Sequence, residues 1–169
     1  SGSSYTSARL LSKGKFSFKY GKIEFRAKLP AGGGTWPALW MLGDNLGSVG
    51  WPACGEIDVM EHLGNQLNKI YGTLHYPGHS GSGGVGSTVN ISNATTEFHT
   101  YSLEWNAGEI KISVDGTPFF TTTNNITTMP FNQNFFVIMN VAMGGNFGGA
   151  IDPAFTSGTM EVDYVRVYQ

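Results

Sequence analysis

The strictest constraint on the fold is an alternation of apolar and charged side chains between residues 22 and 29. Ile23, Phe25, Ala27 and Leu29 occupy every second position, and each position between them carries Lys, Glu or Arg. Because successive side chains of a strand point to opposite faces, this period of two predicts a β-strand with one buried face. Pro30 and the glycines that follow it end the run.

Similar signals recur along the chain. Residues 110–114 alternate again and are followed by Asp115-Gly116, a dipeptide typical of a two-residue hairpin turn. Residues 135–143 are almost continuously apolar, which predicts a strand buried on both faces, and residues 160–168 predict a last strand. Without a convincing amphipathic helix, roughly ten short strands predict an all-β sandwich of two antiparallel sheets.

Two segments give weaker signals. Phe16, Phe18 and Tyr20 alternate and predict one more strand, with Gly21 as the turn that leads into the next one. The stretch 78–87 consists largely of glycine and serine, which predicts a mobile loop.

Length and charge narrow the function classes. The 169 residues fit one domain, for which we expect the range 5–169, with Ser-Gly-Ser-Ser at 1–4 as a cloning remnant. The net charge is −2 and no basic block occurs, so no nucleic-acid partner is expected. No apolar run of about 18 residues occurs, so no membrane partner is expected either. Cys54 is the single cysteine and is predicted to be a small buried side chain.

An acidic motif between residues 55 and 62 carries the strongest chemical signal. Glu56 and Asp58 are two residues apart and therefore share one face of a strand. Glu61 is five residues from Glu56, so a regular strand would turn it to the opposite face. One extra residue, inserted as a β-bulge at Val59–Met60, restores the phase. The motif then predicts three carboxyl groups in a row on one face of a sheet.

Such a row destabilises the fold, because neighbouring like charges repel one another, and it is therefore expected to serve a function. An isolated match is explained equally well by an acidic, solvated strand face. Here, however, Trp36, Trp40 and Trp51 lie close to the motif, and sugars stack their apolar faces on aromatic rings. Retaining glycosidases need two carboxyl groups about 5–5.5 Å apart, one as nucleophile and one as acid and then base.

These residues carry a family resemblance. The segments 21–30, 35–43, 51–61 and 162–169 resemble glycoside hydrolase family 16, most of all its bacterial laminarinase branch. The resemblance implies a β-jelly-roll sandwich of two curved antiparallel sheets with a concave substrate cleft. It also implies that Glu56 is the nucleophile, Glu61 the general acid and base, and Asp58 the assisting acid between them.

The resemblance extends to residues that would bind substrate. It implies that Trp36, Trp40 and Trp51 lie in or near the cleft, although each of them alone would more often be a core residue. His75 matches a histidine close to the acids, and its alternative is a structural histidine. Trp105, by contrast, is expected in the core of the second sheet.

Three further residues are weaker candidates. Arg26 could hydrogen-bond to sugar hydroxyls or be a plain surface arginine, and Asn140, at the end of a predicted buried strand, could face the substrate or belong to a turn. Asp163 matches one ligand of a structural calcium ion that the family often carries. A lone aspartate is weak support for an ion that prefers about six to eight oxygen ligands. No cofactor is expected to be required.

Family 16 domains normally begin several strands before the point where this sequence opens. The N-terminal strands of the usual domain are therefore expected to be missing. The sequence is then a fragment, a naturally short enzyme or a chain completed by a partner, and we expect a homodimer or strand exchange to cover the gap. The expected function is that of a secreted, retaining endo-β-1,3-glucanase acting on laminarin-type β-glucans. The alternatives are a hydrolase of algal galactans or mixed-linkage β-glucans, and a non-catalytic β-glucan-binding module.

Overall fold

The structure is a computed structural model that describes residues 5–169. The predicted cloning remnant at 1–4 lies outside the described residues. Within the described part, eleven strands alternate with two single-turn helices and one 3₁₀ turn at Gly81–Gly83. The strands are β1 Arg9–Leu11, β2 Gly21–Lys28, β3 Thr35–Gly43, β4 Glu56–His62, β5 Lys69–His75, β6 Val85–Asn90, β7 His99–Trp105, β8 Glu109–Val114, β9 Thr117–Thr123, β10 Phe135–Met143 and β11 Glu161–Tyr168. The helices are α1 Leu46–Val49 and α2 Gly145–Gly148.

The strands form two antiparallel sheets that pack on each other as a sandwich. The first sheet has six strands in the order β1-β10-β3-β4-β5-β6, and the second has five in the order β11-β2-β7-β8-β9. Neither helix in the described part is long or apolar enough to cross a membrane.

The alternation in β2 has the predicted structural result. Ile23, Phe25 and Ala27 are fully buried between the sheets, while the charged residues between them face outwards from the second sheet. Trp105 lies in the same core, as expected, and its indole nitrogen donates a hydrogen bond to the carbonyl of Phe131 at 2.8 Å. The burial of these side chains is the main force holding the sheets together.

The hairpin prediction is also confirmed. Asp115 and Gly116 join β8 to β9 with positive φ angles of 49° and 77°, the conformation that a two-residue turn with the twist of its strands requires. Cys54 is buried and free, also as predicted.

Three local predictions need correction. Residues 16–20 form no strand beyond a single bridge from Phe18 to Phe135, because the chain turns at Tyr20, whose φ is 64°. The segment predicted as a mobile loop contains the 3₁₀ turn and the start of β6, where small residues pair with β5 through their backbone. In β10 only Phe135–Ile138 is buried, and of the half-buried residues that follow, Asn140 and Ala142 line a cleft.

Candidate active site

Strand β4 contains the bulge that the acidic motif predicts. Asp58 pairs with Thr73 and Glu61 pairs with Tyr71, so three steps along β4 match two steps along β5. The side chains of the two residues between the acids, Val59 and Met60, both lie fully buried in the core. This extra inward-facing residue turns Glu61 back to the face that carries Glu56 and Asp58.

The three carboxyl groups line one cleft of about 260 Å³ on the outer face of the first sheet. The two outer acids each receive one hydrogen bond from an indole nitrogen. Trp51 donates to Glu56 Oε2 at 2.9 Å, and Trp36 donates to Glu61 Oε1 at 3.0 Å. In each case the indole nitrogen binds only one of the two carboxyl oxygens. The hydrogen bond therefore orients the acid and leaves its second oxygen available for another partner.

Asp58 lies between the two glutamates and is only 3% exposed. Its Oδ2 atom has no hydrogen-bond partner among the described residues, although His75 Nε2 lies 3.3 Å away. The same nitrogen is 3.8 Å from Glu56 Oε1. His75 therefore lies beside the acids, where the family resemblance put it.

Burial is the main influence on the protonation of these groups. It raises the pKa of Glu56 to about 7, raises that of Asp58 well above its ordinary value, and raises that of Glu61. The negative charge of Glu61 further raises the pKa of its two neighbours, while the indole hydrogen bonds partly lower the pKa of Glu56 and Glu61. Three carboxylates cannot all ionise in one dry cleft, so the cluster keeps protons at neutral pH.

The pKa of Glu61 is raised by burial rather than by the charge of its acidic neighbours. Burial also lowers the pKa of His75, which keeps its imidazole neutral at neutral pH.

The floor of the cleft comes from β3, β10 and β1. Trp36, Ala38 and Trp40 alternate along β3 and face the cleft. Leu39, between the last two of these, and Met41, directly after Trp40, are buried in the core. The strand thus follows its period of two and separates tryptophans for a ligand from aliphatic side chains for the core.

Asn140 of β10 also faces the cleft. Its Oδ1 atom accepts a hydrogen bond of 2.7 Å from the indole nitrogen of Trp40. The guanidinium of Arg9 covers the ring of Trp40 at 4.9 Å from its centre. Asn140 and Arg9 are cross-strand partners, which explains why both reach this ring.

Aromatic rings flank the acids on two sides. Trp51 is 48% exposed and its ring centre lies 6.1 Å from that of His75. On the side of Glu61, Trp36 packs against Phe147, whose ring in turn packs against Tyr71. A cleft with carboxyl groups at its centre and exposed aromatic surface to either side suits a chain of sugar rings.

Arg26 is not part of this cleft. It belongs to β2 in the second sheet, where it forms an ion pair of 2.7 Å with Asp163 and covers the ring of Phe98. The alternation within β2 buries its neighbours, so the arginine faces away from the sandwich on the side opposite the acids. The candidate role of Arg26 in sugar binding is therefore corrected to that of a surface arginine.

Comparison with known proteins places the chain in a family. The model of glycosyl hydrolases family 16 matches residues 2–166. The chain belongs to glycoside hydrolase family 16. The β-glucanase of Rhodothermus marinus is 43% identical over 99% of this chain and 64% of that protein. Glucan endo-1,3-beta-glucosidase A1 of Niallia circulans is 42% identical over 98% of this chain and 26% of that protein.

A solved structure agrees with the fold. The catalytic domain of an endo-1,3-beta-glucanase (laminarinase) from Thermotoga petrophila RKU-1 has a TM-score of 0.91 and 44% identity, over 95% of this chain and 68% of that one. The jelly-roll sandwich of two antiparallel sheets predicted for this family 16 chain is thereby confirmed. The chain spans less than two thirds of the length of either curated relative named above.

The calcium ion expected from family 16 finds little support at Asp163. Its Oδ2 atom accepts a hydrogen bond from Arg26 at 2.7 Å, and a guanidinium repels a divalent cation. Among residues 5–169, the groups of three or more acidic, histidine or cysteine side chains that could hold a metal do not include Asp163. The role of Asp163 as a calcium ligand stays a prediction, with its carboxyl group already paired with a guanidinium.

Three residues at or beside the cleft were not predicted from the sequence. Thr73 donates a long hydrogen bond of 3.5 Å to Glu61 Oε2, and its position two residues before His75 on β5 was a usable signal. Phe147 follows Gly144 and Gly145 shortly after the end of β10, in a segment that the sequence analysis did not consider for binding. Arg9 carries no local signal, because only the pairing of β1 with β10 brings it to the cleft.

Proposed function

We propose that this chain is a retaining endo-β-1,3-glucanase that hydrolyses laminarin-type β-glucans by double displacement. The observation that carries the proposal is the bulge in β4, which turns Glu61 to the same face as Glu56 and Asp58. A structural strand gains nothing from a buried row of acids, because their mutual repulsion and desolvation cost stability. A pair of positioned carboxyl groups, however, is what the hydrolysis of a glycosidic bond by retention requires.

In the first step Glu61 donates its proton to the glycosidic oxygen while Glu56 attacks the anomeric carbon. The bond from that carbon to the leaving oxygen breaks, and an ester bond to Glu56 forms. The raised pKa of Glu61 supports its role as the acid, because burial favours the protonated form of its carboxyl group. Glu56 must be ionised to attack, and the hydrogen bond from Trp51 favours that form.

In the second step a water molecule takes the place of the leaving sugar. Glu61, now ionised, removes a proton from the water, whose oxygen attacks the anomeric carbon and releases Glu56. The product keeps the β configuration and the enzyme returns to its starting protonation state. The reaction uses two carboxyl groups and water, so we propose that it requires no cofactor.

Asp58 assists by controlling the charge beside Glu56. It is the most deeply buried of the three acids, and burial raises its pKa well above the ordinary value. The raised pKa favours the protonated form of Asp58, which adds no negative charge while Glu56 ionises. His75, within 4 Å of both carboxyl groups, limits the movement of this pair.

A panel of polysaccharides tests the proposal. Digestion of laminarin is expected to release short β-1,3-linked oligosaccharides of several lengths from the start, because an endo-acting enzyme cuts inside the chain. Lichenan, agarose and carrageenan are expected to release far less reducing sugar. The proposal fails if agarose or carrageenan is the better substrate, or if laminarin binds and yields no product after long incubation. The last result would favour a β-glucan-binding module.

We also propose that the chain associates with a second copy through the side where both sheets have an open edge. Leu10, Leu11 and Phe16 are 56%, 49% and 46% exposed there, and a groove of about 820 Å³ separates them from Val165 and Val167 of β11. The strands β1 and β11 end their sheets, so their outer backbone groups are available to another strand.

Light scattering at high protein concentration tests this association, which can occur by edge pairing or by strand exchange. The wild-type chain is expected to be a dimer, and Leu10→Asp is expected to shift it towards the monomer by placing a charge in the apolar groove. A monodisperse wild-type monomer would contradict the proposal.

We propose secretion as well, because a polymeric glucan must be cut outside the cell before its fragments can be taken up. Laminarinase activity in the cell-free medium of the source organism tests this point. Activity confined to the cell lysate would count against it.

A further inference from the structure

One corner of the cleft brings together three side chains with the donor atoms of a metal site. Glu56 and Asp58 come from β4, and His75 comes from the directly paired position on β5, opposite Glu56. One donor atom from each of the three lies within 4.8 Å of the other two. Because all three are anchored on paired strands, the backbone holds this arrangement without help from a loop.

The distances match those between ligands of one small cation. His75 Nε2 lies 3.3 Å from Asp58 Oδ2 and 3.8 Å from Glu56 Oε1. Two ligands of a tetrahedral Zn²⁺ ion, each about 2.0–2.2 Å from the metal, lie about 3.4 Å apart. The donor atoms of Glu56 and Asp58 lie within 4.8 Å of each other, so the Glu56 side chain has to move closer to both partners for all three to bind one ion.

A second observation points to a ligand at the same place. Asp58 is almost fully buried, with only 3% of its surface exposed. Its Oδ2 atom has no hydrogen-bond partner within residues 5–169. A buried carboxyl oxygen without a partner is costly, and it faces the imidazole nitrogen rather than solvent. A cation bound between these two atoms would satisfy both of them.

We propose that Glu56, Asp58 and His75 form a binding site for Zn²⁺, with three protein ligands and a fourth position open to the cleft. The mixed set of one imidazole nitrogen and two carboxylate oxygens suits Zn²⁺. Ca²⁺ and Mg²⁺ prefer six or more oxygen ligands, which this corner does not supply. On binding, the metal takes the electron pairs of the two carboxylates, and any protons they carry leave to solvent.

The site has a consequence for the reaction that rests on the proposed function. Zn²⁺ bound to Glu56 Oε1 occupies the carboxylate that attacks the anomeric carbon, so the metal acts as a reversible inhibitor. Zinc binding itself does not depend on the enzyme being a glucanase. A chain that binds Zn²⁺ at this corner without cutting laminarin would uphold the site and overturn the function.

Calorimetric titration of the metal-free chain with ZnCl₂ tests the proposal. The wild-type chain is expected to bind one Zn²⁺ ion, and MgCl₂ at the same concentration is expected to give no binding heat. Asp58→Asn and His75→Gln are each expected to weaken Zn²⁺ binding by at least about tenfold, because each removes one of three ligands. His79→Gln, which changes an exposed histidine outside the corner, is the matched control and is expected to bind as the wild type does.

Two results would overturn the proposal. One is a wild-type chain that binds no Zn²⁺, and the other is wild-type affinity in both ligand variants, which would place the metal elsewhere. Circular dichroism checks that each variant is folded. If either substitution prevents folding, Glu56→Gln takes its place, because it removes the third ligand. It is expected to weaken Zn²⁺ binding to the same extent.

Discussion

Glu56→Gln is expected to lower kcat/KM on laminarin by at least about 10⁴-fold while the chain stays folded. The amide is a very poor nucleophile, so the first bond to the anomeric carbon cannot form, and losses of this order follow the removal of a nucleophile. The change is nearly isosteric, and the amide oxygen can still accept the hydrogen bond that Trp51 donates. Initial rates of reducing-sugar release measure the loss.

The same substitution is expected to make the protein more stable at neutral pH. The pKa of Glu56 is raised from 4.5 to about 7, mainly by burial. Between these values the unfolded chain releases a proton that the folded chain keeps, so the free energy of unfolding falls as pH rises. The stability that the protonated carboxyl provides is complete below pH 4.5 and is lost as pH rises through 7. Glutamine does not ionise and escapes this loss.

The expected gain is on the order of 3 kcal/mol at pH 7–8, which corresponds to a rise in Tm of several degrees, and it should vanish near pH 4. Thermal unfolding of both proteins across this pH range measures it. Glu104→Gln, on the exposed outer face of β7, serves as the control and should change neither activity nor the pH dependence. Substantial laminarin hydrolysis by Glu56→Gln would remove Glu56 from its role.

Glu61→Gln is expected to lower laminarin hydrolysis by roughly 10²–10⁴-fold, the usual contribution of a general acid. The loss should depend on the leaving group. A dinitrophenyl β-laminaribioside releases a stable anion that needs no proton, so Glu56 should be glycosylated at nearly the wild-type rate. Release of the sugar from Glu56 should then be slow, because no base activates the water.

A stopped-flow experiment separates the two steps. The Glu61→Gln variant should show a rapid burst of dinitrophenolate equal to one per active site, followed by slow turnover. If the substitution lowered the burst rate as strongly as it lowers laminarin hydrolysis, Glu61 would not act as the acid, even though the bulge turns it towards the cleft.

The sequence predicted those features that depend on local periodicity. The alternation in β2, the turn at Asp115 and Gly116 and the bulge at Val59–Met60 each follow from a short run of residues, and the structure has all three. The bulge was predictable from the five-residue spacing of Glu56 and Glu61. A regular strand would turn these two acids to opposite faces.

The errors arose where tertiary contacts decide. Residues 16–20 alternate as a strand does, but Gly21 must lie so close to Tyr168 that a Cβ atom would be 2.2 Å from its carbonyl oxygen. The chain also turns at Tyr20, whose φ is 64°, so the alternating residues before it do not continue β2. Arg26 was a candidate for sugar binding but lies on the sheet opposite the cleft, because periodicity tells which residues share a face but not which sheet the strand joins. Arg9 was missed for the same reason.

The central claim is that an extra residue in β4 sets Glu61 beside Glu56 as a pair with different roles. Azide rescue of Glu56→Ala and Glu61→Ala on the dinitrophenyl substrate, with the product read by its anomeric proton in NMR, tests it most directly. Glu56→Ala should give the α-glycosyl azide, because azide attacks in place of the lost nucleophile. Glu61→Ala should give the β-glycosyl azide, because azide attacks the glycosyl-enzyme. The opposite configurations, or rescue of neither variant, would contradict the account.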